Sequence, residues 1–411
     1  MAIGEVCRVV GGSTPKTSVE EYWGGEIPWI TPNDLSGHVG KYISRGERSI
    51  TESGYQSCST TLMPSGSVVF SSRAPIGYTA IAVNPVCTNQ GFKSFVPSDA
   101  VRSDYLYWYL LFAAPDIQRM GSGTTFSEIS GKVAKSIPLI LAPLEEQQQI
   151  VEGIEEQLSR LEAGVESLQR ARRNLARLRA STLAAAANGR LDMTIGDSPI
   201  EPESWRLTTL GELLTRIEAG KSFKAVPRPA VEDEWGVIKV SAMTWGSFRQ
   251  GENKALPAGM RFDPTFEIAE GDLLLSRANT SEYVGATVLV PATRRGLLLS
   301  DKSMRLHVRE GVNKRWLWYA LLAPPLRSQM SAVATGTSDS MRNISQEKVR
   351  RLSIKVPSLD IQNAVVMEVD RRLSVIDALK VAVENALTRS ETLRGSVLRA
   401  AFSGDLREAR K

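Results

Sequence analysis

The stretch LEEQQQIVEGIEEQLSRLEAGVESLQRARRNLARLRASTLAAAANGRL, residues 144–191, decides the fold. Its apolar side chains recur at steps of three and four residues, which is the spacing of one face of an α-helix. This apolar seam consists of Val151, Ile154, Leu158, Leu161, Val165, Leu168 and Leu175. Because a helix of about 45 residues is far longer than a typical globular helix, the sustained seam predicts a coiled-coil helix.

A second segment, residues 359–411, has the same character. Its seam is interrupted by Lys380 and otherwise consists of Val366, Val369, Leu373, Ile376, Val383 and Leu387. The two segments correspond without a gap at an offset of 215 residues, from Ile129–Ser130 against Ile344–Ser345 to Leu191 against Leu406. Earlier matches, such as Ile3–Val6 with Leu210–Leu213, show a shorter offset. We interpret the chain as a tandem duplication.

Charge along the two helical segments predicts their relative direction. The first segment begins with acidic residues and ends with arginines from Arg170 to Arg179, and the second repeats this order more weakly. Antiparallel pairing sets the acidic half of one helix against the basic half of the other, whereas parallel pairing sets like charges together. We therefore expect an antiparallel pair with a globular domain at each end.

The remaining segments, residues 1–143 and 206–358, mix short apolar runs with Gly, Pro, Ser and Asn, which is typical of α/β structure with many loops. The predicted fold class is α+β, with two pseudo-symmetric α/β domains joined by a long antiparallel two-helix coiled coil. The predicted boundaries are domain one at 1–143, the first long helix at 144–191, a linker at 192–205, domain two at 206–358, and the second long helix with a tail at 359–411.

Composition limits the class of protein. The 411 residues are 42% hydrophobic and 23% charged, which predicts packed cores rather than a disordered or fibrous chain. Apolar runs are too short to span a bilayer, and the N-terminus does not resemble a signal peptide. Three cysteines without a CxxC motif indicate a reduced, cytoplasmic protein.

Residue types needed for common catalytic sites are scarce. The chain has two histidines, His38 and His307, which argues against a zinc-protease motif or a histidine-based triad. Gly220-Lys221-Ser222 resembles the end of a phosphate-binding loop, but Thr215 stands where the first glycine is needed. We therefore favour a binding or assembly protein over an enzyme, and we expect no metal site.

Positive charge is concentrated in the second domain. Residues 206–358 carry 23 cationic and 15 anionic side chains, whereas residues 1–143 carry 11 of each. A basic domain favours a polyanionic partner, although a solvated charged surface accounts for the same pattern.

Four motifs, together with their duplication, resemble a known family. They are Gly12-Ser13-Thr14-Pro15 followed by Ile27–Leu35, Gly66–Arg73 leading to Gly77, Ile137–Gln147 entering the first long helix, and Ala185–Leu191 leaving it. The chain resembles the specificity subunit of bacterial and archaeal type I restriction–modification systems over essentially its whole length. Its second copy departs from the pattern at Ser353–Gln362, and its first copy lacks the lead-in present at Pro202–Trp205.

The resemblance implies a non-catalytic role in a larger complex. Each domain would be a target-recognition domain that reads one half of a bipartite double-stranded DNA sequence. The paired helices would set the half-site spacing and dock two modification subunits that bring S-adenosylmethionine and methylate adenine N6. Restriction subunits that use ATP and Mg²⁺ would be able to join, and this chain would bind no cofactor directly.

Polar loop residues that recur in both domains are the candidates for DNA contact, because such side chains read base edges and phosphates. In the first domain they are Thr31, Asn33, Asp34, Ser71, Ser72, Arg73, Asn89, Gln90, Lys93, Ser122, Thr124, Thr125 and Lys132. In the second they are Lys239, Ser241, Thr244, Arg277, Asn279, Thr280, Lys302, Arg305, Thr335, Thr337, Arg342 and Asn343. For each residue, a role in a turn or helix cap is the alternative.

Two further features carry alternatives. The segment at 126–133 is a candidate short helix whose N-terminal amides would meet phosphate. The aromatic residues form either a base-stacking strip or, as their helical spacing favours, part of the core: Tyr105, Tyr107, Trp108, Tyr109, Trp316, Trp318 and Tyr319. A coiled-coil adaptor that binds proteins, and a DNA-modifying enzyme with degenerate motifs, remain the alternative functions.

Overall fold

The computed structural model describes residues 1–38, 40–73, 75–122, 127–195, 198–199, 204–244, 246–339 and 341–403. The chain divides into two compact units. Unit 1 comprises Met1–Gln169 and the segment from Glu384 onward, and unit 2 comprises Arg170–Val383. The division falls inside both long helical segments.

The described helices include both long segments predicted from their apolar period. They are α1 (Pro32–Leu35), α2 (Glu52–Gln56), α3 (Ser103–Arg119), α4 (Gly131–Lys135), α5 (Leu144–Ala187), α6 (Lys314–Leu322), α7 (Pro324–Val333), α8 (Gln346–Arg350) and α9 (Leu359–Ser403). Helix α5 begins at the predicted residue, directly after Pro143, and ends shortly before Gly189, which adopts a φ of 67°. A positive φ suits glycine and ends the helix there.

The strands of unit 1 form two sheets. They are β1 (Cys7–Gly11), β2 (Trp23–Ile30), β3 (Tyr42–Ile43), β4 (Arg48–Ile50), β5 (Val68–Ser72), β6 (Ile76–Ala82), β7 (Cys87–Thr88) and β8 (Lys93–Pro97). One sheet has the order β1-β8-β5-β6-β3 and the other β4-β2-β7. Every residue of β5, including Ser71 and Ser72, is buried, and this strand lies in the middle of the larger sheet.

The strands of unit 2 repeat that arrangement. They are β9 (Thr194–Ile195), β10 (Ser198–Pro199), β11 (Arg206–Thr209), β12 (Leu214–Ala219), β13 (Gly236–Ile238), β14 (Asn253–Ala255), β15 (Leu273–Ser276), β16 (Ala278–Asn279), β17 (Thr287–Leu289), β18 (Leu297–Leu298), β19 (Ser303–Val308), β20 (Thr335–Ser338), β21 (Met341–Asn343) and β22 (Ser353–Val356). Two-stranded pairs β10-β9 and β11-β22 accompany three larger sheets.

The strand orders of the two units correspond. The order β12-β19-β15-β17 in unit 2 matches β1-β8-β5-β6 in unit 1, and β14-β13-β18 matches β4-β2-β7. In both smaller sheets the central strand pairs antiparallel with one neighbour and parallel with the other. The α+β class predicted from sequence is confirmed, and the internal repeat is also present in the topology.

Burial along α5 and α9 is greatest where each helix meets the body of a unit. In unit 1 Val151, Ile154 and Leu158 are buried, and in unit 2 Val369 and Leu373 are buried. The middle of the predicted seam, including Val165, is half-buried.

Ion pairs join α5 to α9 within each unit. In unit 1 a guanidinium nitrogen of Arg394 lies 4.0 Å from Glu162, and in unit 2 Arg179 lies 3.0 Å from Asp377. Each pair joins the acidic half of one helix to the basic half of the other, as antiparallel pairing requires. Because these ion pairs are exposed to solvent, they contribute little to stability, but they indicate how the two helices are aligned.

The aromatic residues of α3 belong to the core, as their helical spacing favours. Tyr105 and Tyr109 are buried, and their hydroxyls donate to the carbonyls of Ile140 at 2.6 Å and Pro138 at 2.7 Å. Both rings also contact Phe402 of α9. Trp316 and Tyr319 of α6 are buried in unit 2 in the same way. The base-stacking interpretation is therefore wrong for these residues.

Candidate nucleic-acid interface

In unit 1 three chain segments meet at Glu128, and we call this arrangement the first ribbon. Arg73 and Ser122 each form an antiparallel bridge with Glu128. The backbones of Ser122 and Glu128 exchange two hydrogen bonds, at 3.0 and 3.1 Å. The amide of Ile129 donates to the carbonyl of Ser72 at 3.0 Å. These bonds hold the Glu128 backbone from both sides.

In unit 2 strands β16, β21 and β20 form a second ribbon at the corresponding place. Asn343 of β21 pairs with Ala278 on one side and with Thr335 on the other. The amide of Ile344 donates to the carbonyl of Arg277 at 3.0 Å. The second ribbon therefore repeats the backbone pattern of the first, with Asn343 in the place of Glu128.

The candidate arginines Arg73 and Arg277 do not occupy equivalent positions in the two ribbons. The backbone bonds make Ser72 the counterpart of Arg277 and Ala278 the counterpart of Arg73. Successive strand residues point to opposite faces. The two arginines therefore differ in position by one residue and do not present their charge in the same direction.

The first ribbon carries one carboxylate between two cations. Glu128 lies 3.7 Å from Arg73 and 3.5 Å from Lys93, and its side chain is 39% exposed. Because the three groups together carry a single net positive charge, this surface is less basic than its arginine and lysine alone suggest. Glu128 was not among the residues selected from sequence, although its position directly before the repeated Ile-Ser pair is the signal that identifies it.

The second ribbon contains several of the selected polar residues. Asn279 lies opposite Arg342, which pairs with Asp339 at 2.9 Å. The Asn279 side chain accepts from the amide of Thr280 at 2.9 Å, while the Asn343 side chain is exposed. Arg277, Asn279, Arg342 and Asn343 are thus brought together by the structure.

The loop after β2 is held together by its own polar groups. Asp34 accepts hydrogen bonds from the amide and hydroxyl of Thr31, at 2.7 and 2.6 Å, and from the amide of Glu47 at 2.7 Å. This is a helix cap at the start of α1. Asn33, between them, is exposed.

The equivalent loop of unit 2 is built around Glu252. Lys239 contacts this carboxylate at 2.7 Å, and the hydroxyl of Ser241 donates to it at 2.6 Å. The contact with Lys239, and to a lesser extent the one with Ser241, holds the pKa of Glu252 below its usual value. The Thr244 hydroxyl donates to the carbonyl of Ser241 at 3.3 Å.

Three selected residues are buried. Ser71 and Ser72 are fully buried in β5, and the hydroxyl of Ser71 donates to the carbonyl of Pro75 at 2.7 Å. Arg305 is 7% exposed and contacts the carboxylates of Glu218 at 3.1 Å and Asp272 at 3.0 Å. Its guanidinium is committed to the interior of unit 2, so its role in this structure is in the fold.

The remaining selected residues lie near the two ribbons or at turns. Asn89 accepts from the amide of Gly91 at 2.9 Å and forms a turn, while Thr14 bonds to Gln90. The exposed ones are Gln90, Ser122, Lys132, Lys302 and Thr335. Thr124, Thr125 and the side chain of Thr337 lie outside the described part of the chain.

The short helix expected at 126–133 instead begins later, as α4 (Gly131–Lys135). The hydroxyl of its N-cap, Ser130, accepts from the amide of Val133 at 3.2 Å, and Ser345 caps α8 in the same way. The caps occupy one of the helical amides that had been expected to meet phosphate. Each helix directly follows its ribbon.

The described residues contain no group of three or more histidine, cysteine, aspartate or glutamate side chains placed to hold a metal ion. None of the helices described is both long and apolar enough to cross a membrane.

Comparison with known proteins gives consistent results. Residues 1–168 match the family model described as the type I restriction modification DNA specificity domain. The chain is 47% identical over 152 residues to the MjaIX specificity subunit of Methanocaldococcus jannaschii, covering 36% of this chain and 35% of that protein. It is 33% identical over 193 residues to the EcoEI specificity subunit of Escherichia coli, covering 46% and 32%. The alignments span about a third of the length of these curated relatives.

Two solved structures share the fold over nearly the whole chain. One comes from work on complex assembly and conformational transition of the type I R-M system, with a TM-score of 0.72 at 18% identity, covering 98% of this chain and 96% of that one. The other is the HsdS subunit from Thermoanaerobacter tengcongensis, with a TM-score of 0.60, 18% identity and the same coverage. At this identity the likeness establishes the fold.

Proposed function

Because residues 1–168 match the family model of the type I restriction modification DNA specificity domain, we propose that the whole chain is the DNA-recognition subunit of a type I restriction–modification system. Each unit reads one half of a bipartite duplex target. The main support is that unit 2, which lies outside the residues matched by the family model, repeats the strand order and the ribbon of unit 1. Two equivalent ribbons would allow one chain to read two half-sites.

Charge supports nucleic acid as the ligand of unit 2. The excess of cationic over anionic side chains in 206–358 provides phosphate contacts, which dominate the affinity for duplex DNA. Residues 1–143, which form the domain of unit 1, carry equal numbers of cationic and anionic side chains, so their contribution to the target rests more on base contacts than on attraction to phosphate.

Helices α5 and α9 are proposed to form the antiparallel coiled coil that sets the half-site spacing. The inter-helix pairs Glu162–Arg394 and Arg179–Asp377 support this direction. A 44-residue helix is about 66 Å long, which is on the scale of two turns of duplex DNA at about 34 Å each. The two helical segments correspond without insertion or deletion, as expected if their length determines the half-site spacing.

The long helices also offer an apolar surface for partner subunits. Their exposed apolar side chains in unit 2 include Leu178, Met367, Val375, Leu379 and Val381. Exposed apolar side chains of this number suit protein contacts. We propose that two modification subunits dock on these helices and carry S-adenosylmethionine, that restriction subunits with ATP and Mg²⁺ can join them, and that the complex acts in the cytoplasm. The chain itself would catalyse no reaction.

Sequencing of methylated adenines in the host genome, with and without this gene, tests the proposal. We expect one bipartite methylated motif that disappears with the gene. The purified chain alone should transfer no methyl group and cut no strand. An unchanged methylation pattern, together with no salt-sensitive duplex binding by the complex, would instead favour a protein-binding coiled-coil adaptor. Methyl transfer or cleavage by the chain alone would favour a degenerate DNA-modifying enzyme.

A further inference from the structure

We propose that Glu128 and Asn343 are the equivalent base-selecting positions of the two units. Glu128 selects cytosine through its exocyclic amino group, and Asn343 selects adenine. This inference rests on the proposed function, namely that the chain reads duplex DNA with both ribbons.

The first argument is the shared backbone frame. Glu128 is bridged to Arg73 and Ser122, and Asn343 is paired with Ala278 and Thr335. The following residue in each case donates its amide at 3.0 Å to the strand that leaves the central sheet. The two side chains therefore start from equivalent, fixed backbone positions and differ only in chemistry.

The second argument is the local rigidity of each position. Two residues after each one, Ser130 or Ser345 caps a short helix by accepting an amide bond at 3.2 Å. Ile129 and Ile344, which lie between, are fully buried. A polar side chain placed next to an anchored residue has few backbone alternatives, and base discrimination needs such preorganisation.

The third argument is the electrostatics of Glu128. A lone carboxylate near a phosphate backbone is repelled, but here Arg73 and Lys93 lie within 4 Å and neutralise it. With its side chain 39% exposed, the carboxylate keeps accepting capacity toward solvent. A carboxylate accepts from the N4 amino group of cytosine and is unfavourable opposite the acceptors of guanine.

The exposed side chain of Asn343 offers both a donor and an acceptor. An amide of this kind makes a paired contact with N6 and N7 of adenine. Arg342, its neighbour on β21, is half-buried and paired with Asp339 at 2.9 Å, whereas Asn343 is exposed.

The test uses the full chain in complex with its modification subunits and a duplex library with randomised positions. Glu128→Asn should change one base of one half-site from cytosine to adenine, with a shift in preference of about ten-fold or more. Asn343→Asp should make the opposite change in the other half-site. Glu26→Gln, a change at an exposed glutamate of unit 1, should leave both half-sites unchanged.

Each outcome has a distinct meaning. If wild-type complex selects no bipartite sequence, the proposed function fails and this inference fails with it. If wild type selects one but both variants retain its bases and bind all duplexes more weakly, Glu128 only holds Arg73 and Lys93, and the inference is overturned. Should Glu128→Asn lower the melting temperature and abolish binding, Asn343→Asp decides alone, because Asn343 lies outside that cluster of ion pairs.

Discussion

The side chain of Gln147 accepts a hydrogen bond from the backbone amide of Arg102 at 2.9 Å and fixes the start of α5 to the start of α3. Gln147 is fully buried and also donates to the carbonyls of Ala100 and Ala142, at 2.9 and 2.8 Å. Gln362, at the start of α9, accepts from the amide of Asn313 at 2.8 Å. The second copy departs from the motif at Ser353–Gln362 but keeps a glutamine, Gln362, that joins the start of α9 to its domain.

Replacing Gln147 with Leu should destabilise unit 1 by about 2 kcal/mol or more, because it leaves buried backbone groups without partners. Thermal or urea unfolding measures the loss. Gln149→Leu, at an exposed position two residues later, is the matched control and should have little effect. Equal stability of the two variants would contradict the role given to Gln147.

Replacing Arg305 with Ala should make unit 2 easier to unfold, by about 1–3 kcal/mol, because it removes the buried guanidinium that contacts the half-buried carboxylates of Glu218 and Asp272. Lys302→Ala, at an exposed residue nearby, should leave the melting temperature unchanged. If the Arg305 variant melts at the wild-type temperature but binds DNA poorly, this arginine contacts DNA and its role is not confined to the fold.

Replacing Arg277 or Arg342 with Ala should weaken duplex binding or relax one half-site only. Arg342 lies on the second ribbon and Arg277 directly precedes it, and each lost phosphate contact also reduces the dependence of affinity on salt. Binding is measured as a function of salt concentration on duplexes with changes in either half-site. Unchanged affinity, salt dependence and specificity in both variants would remove the second ribbon from the interface.

Deleting one heptad from each long helix should change the spacer length that the complex accepts, because seven residues shorten a helix by about 10 Å. The matched pair of deletions keeps the seams in register. Binding to a series of targets that differ only in spacer length measures the change. An unaltered spacer preference would show that the helices do not set the half-site distance.

The pH dependence of stability should reflect Glu368. Hydrogen bonds from Arg371 and then Arg372 lower the pKa of Glu368 from 4.5 to about 2. A carboxyl whose pKa is lowered on folding stabilises the protein above pH 4.5, and this stabilisation is lost as the pH falls toward 2. Glu368→Gln should therefore be less stable than wild type at neutral pH, and the difference should shrink in acid.

The long helices and the duplication were predictable because their signals are local or repeat at a fixed offset. The apolar period of α5 and the capping glycine at Gly189 lie within the segment that they describe. Much of the candidate site was not predictable in this way. The sequence pointed to Arg73 and Lys93 but passed over Glu128, which contacts both only after its segment has paired with the distant segment of Arg73.

The sequence by itself determined that two similar units and two long helices exist, because helix periodicity and internal repetition need no knowledge of distant contacts. Tertiary structure alone decided which polar residues face outward. Arg305 lies in the interior, where it contacts two carboxylates from other segments of the chain, while Asn343 is exposed on its ribbon. The physical reason is that strand pairing joins residues far apart in the chain, and the burial of a side chain depends on those partners.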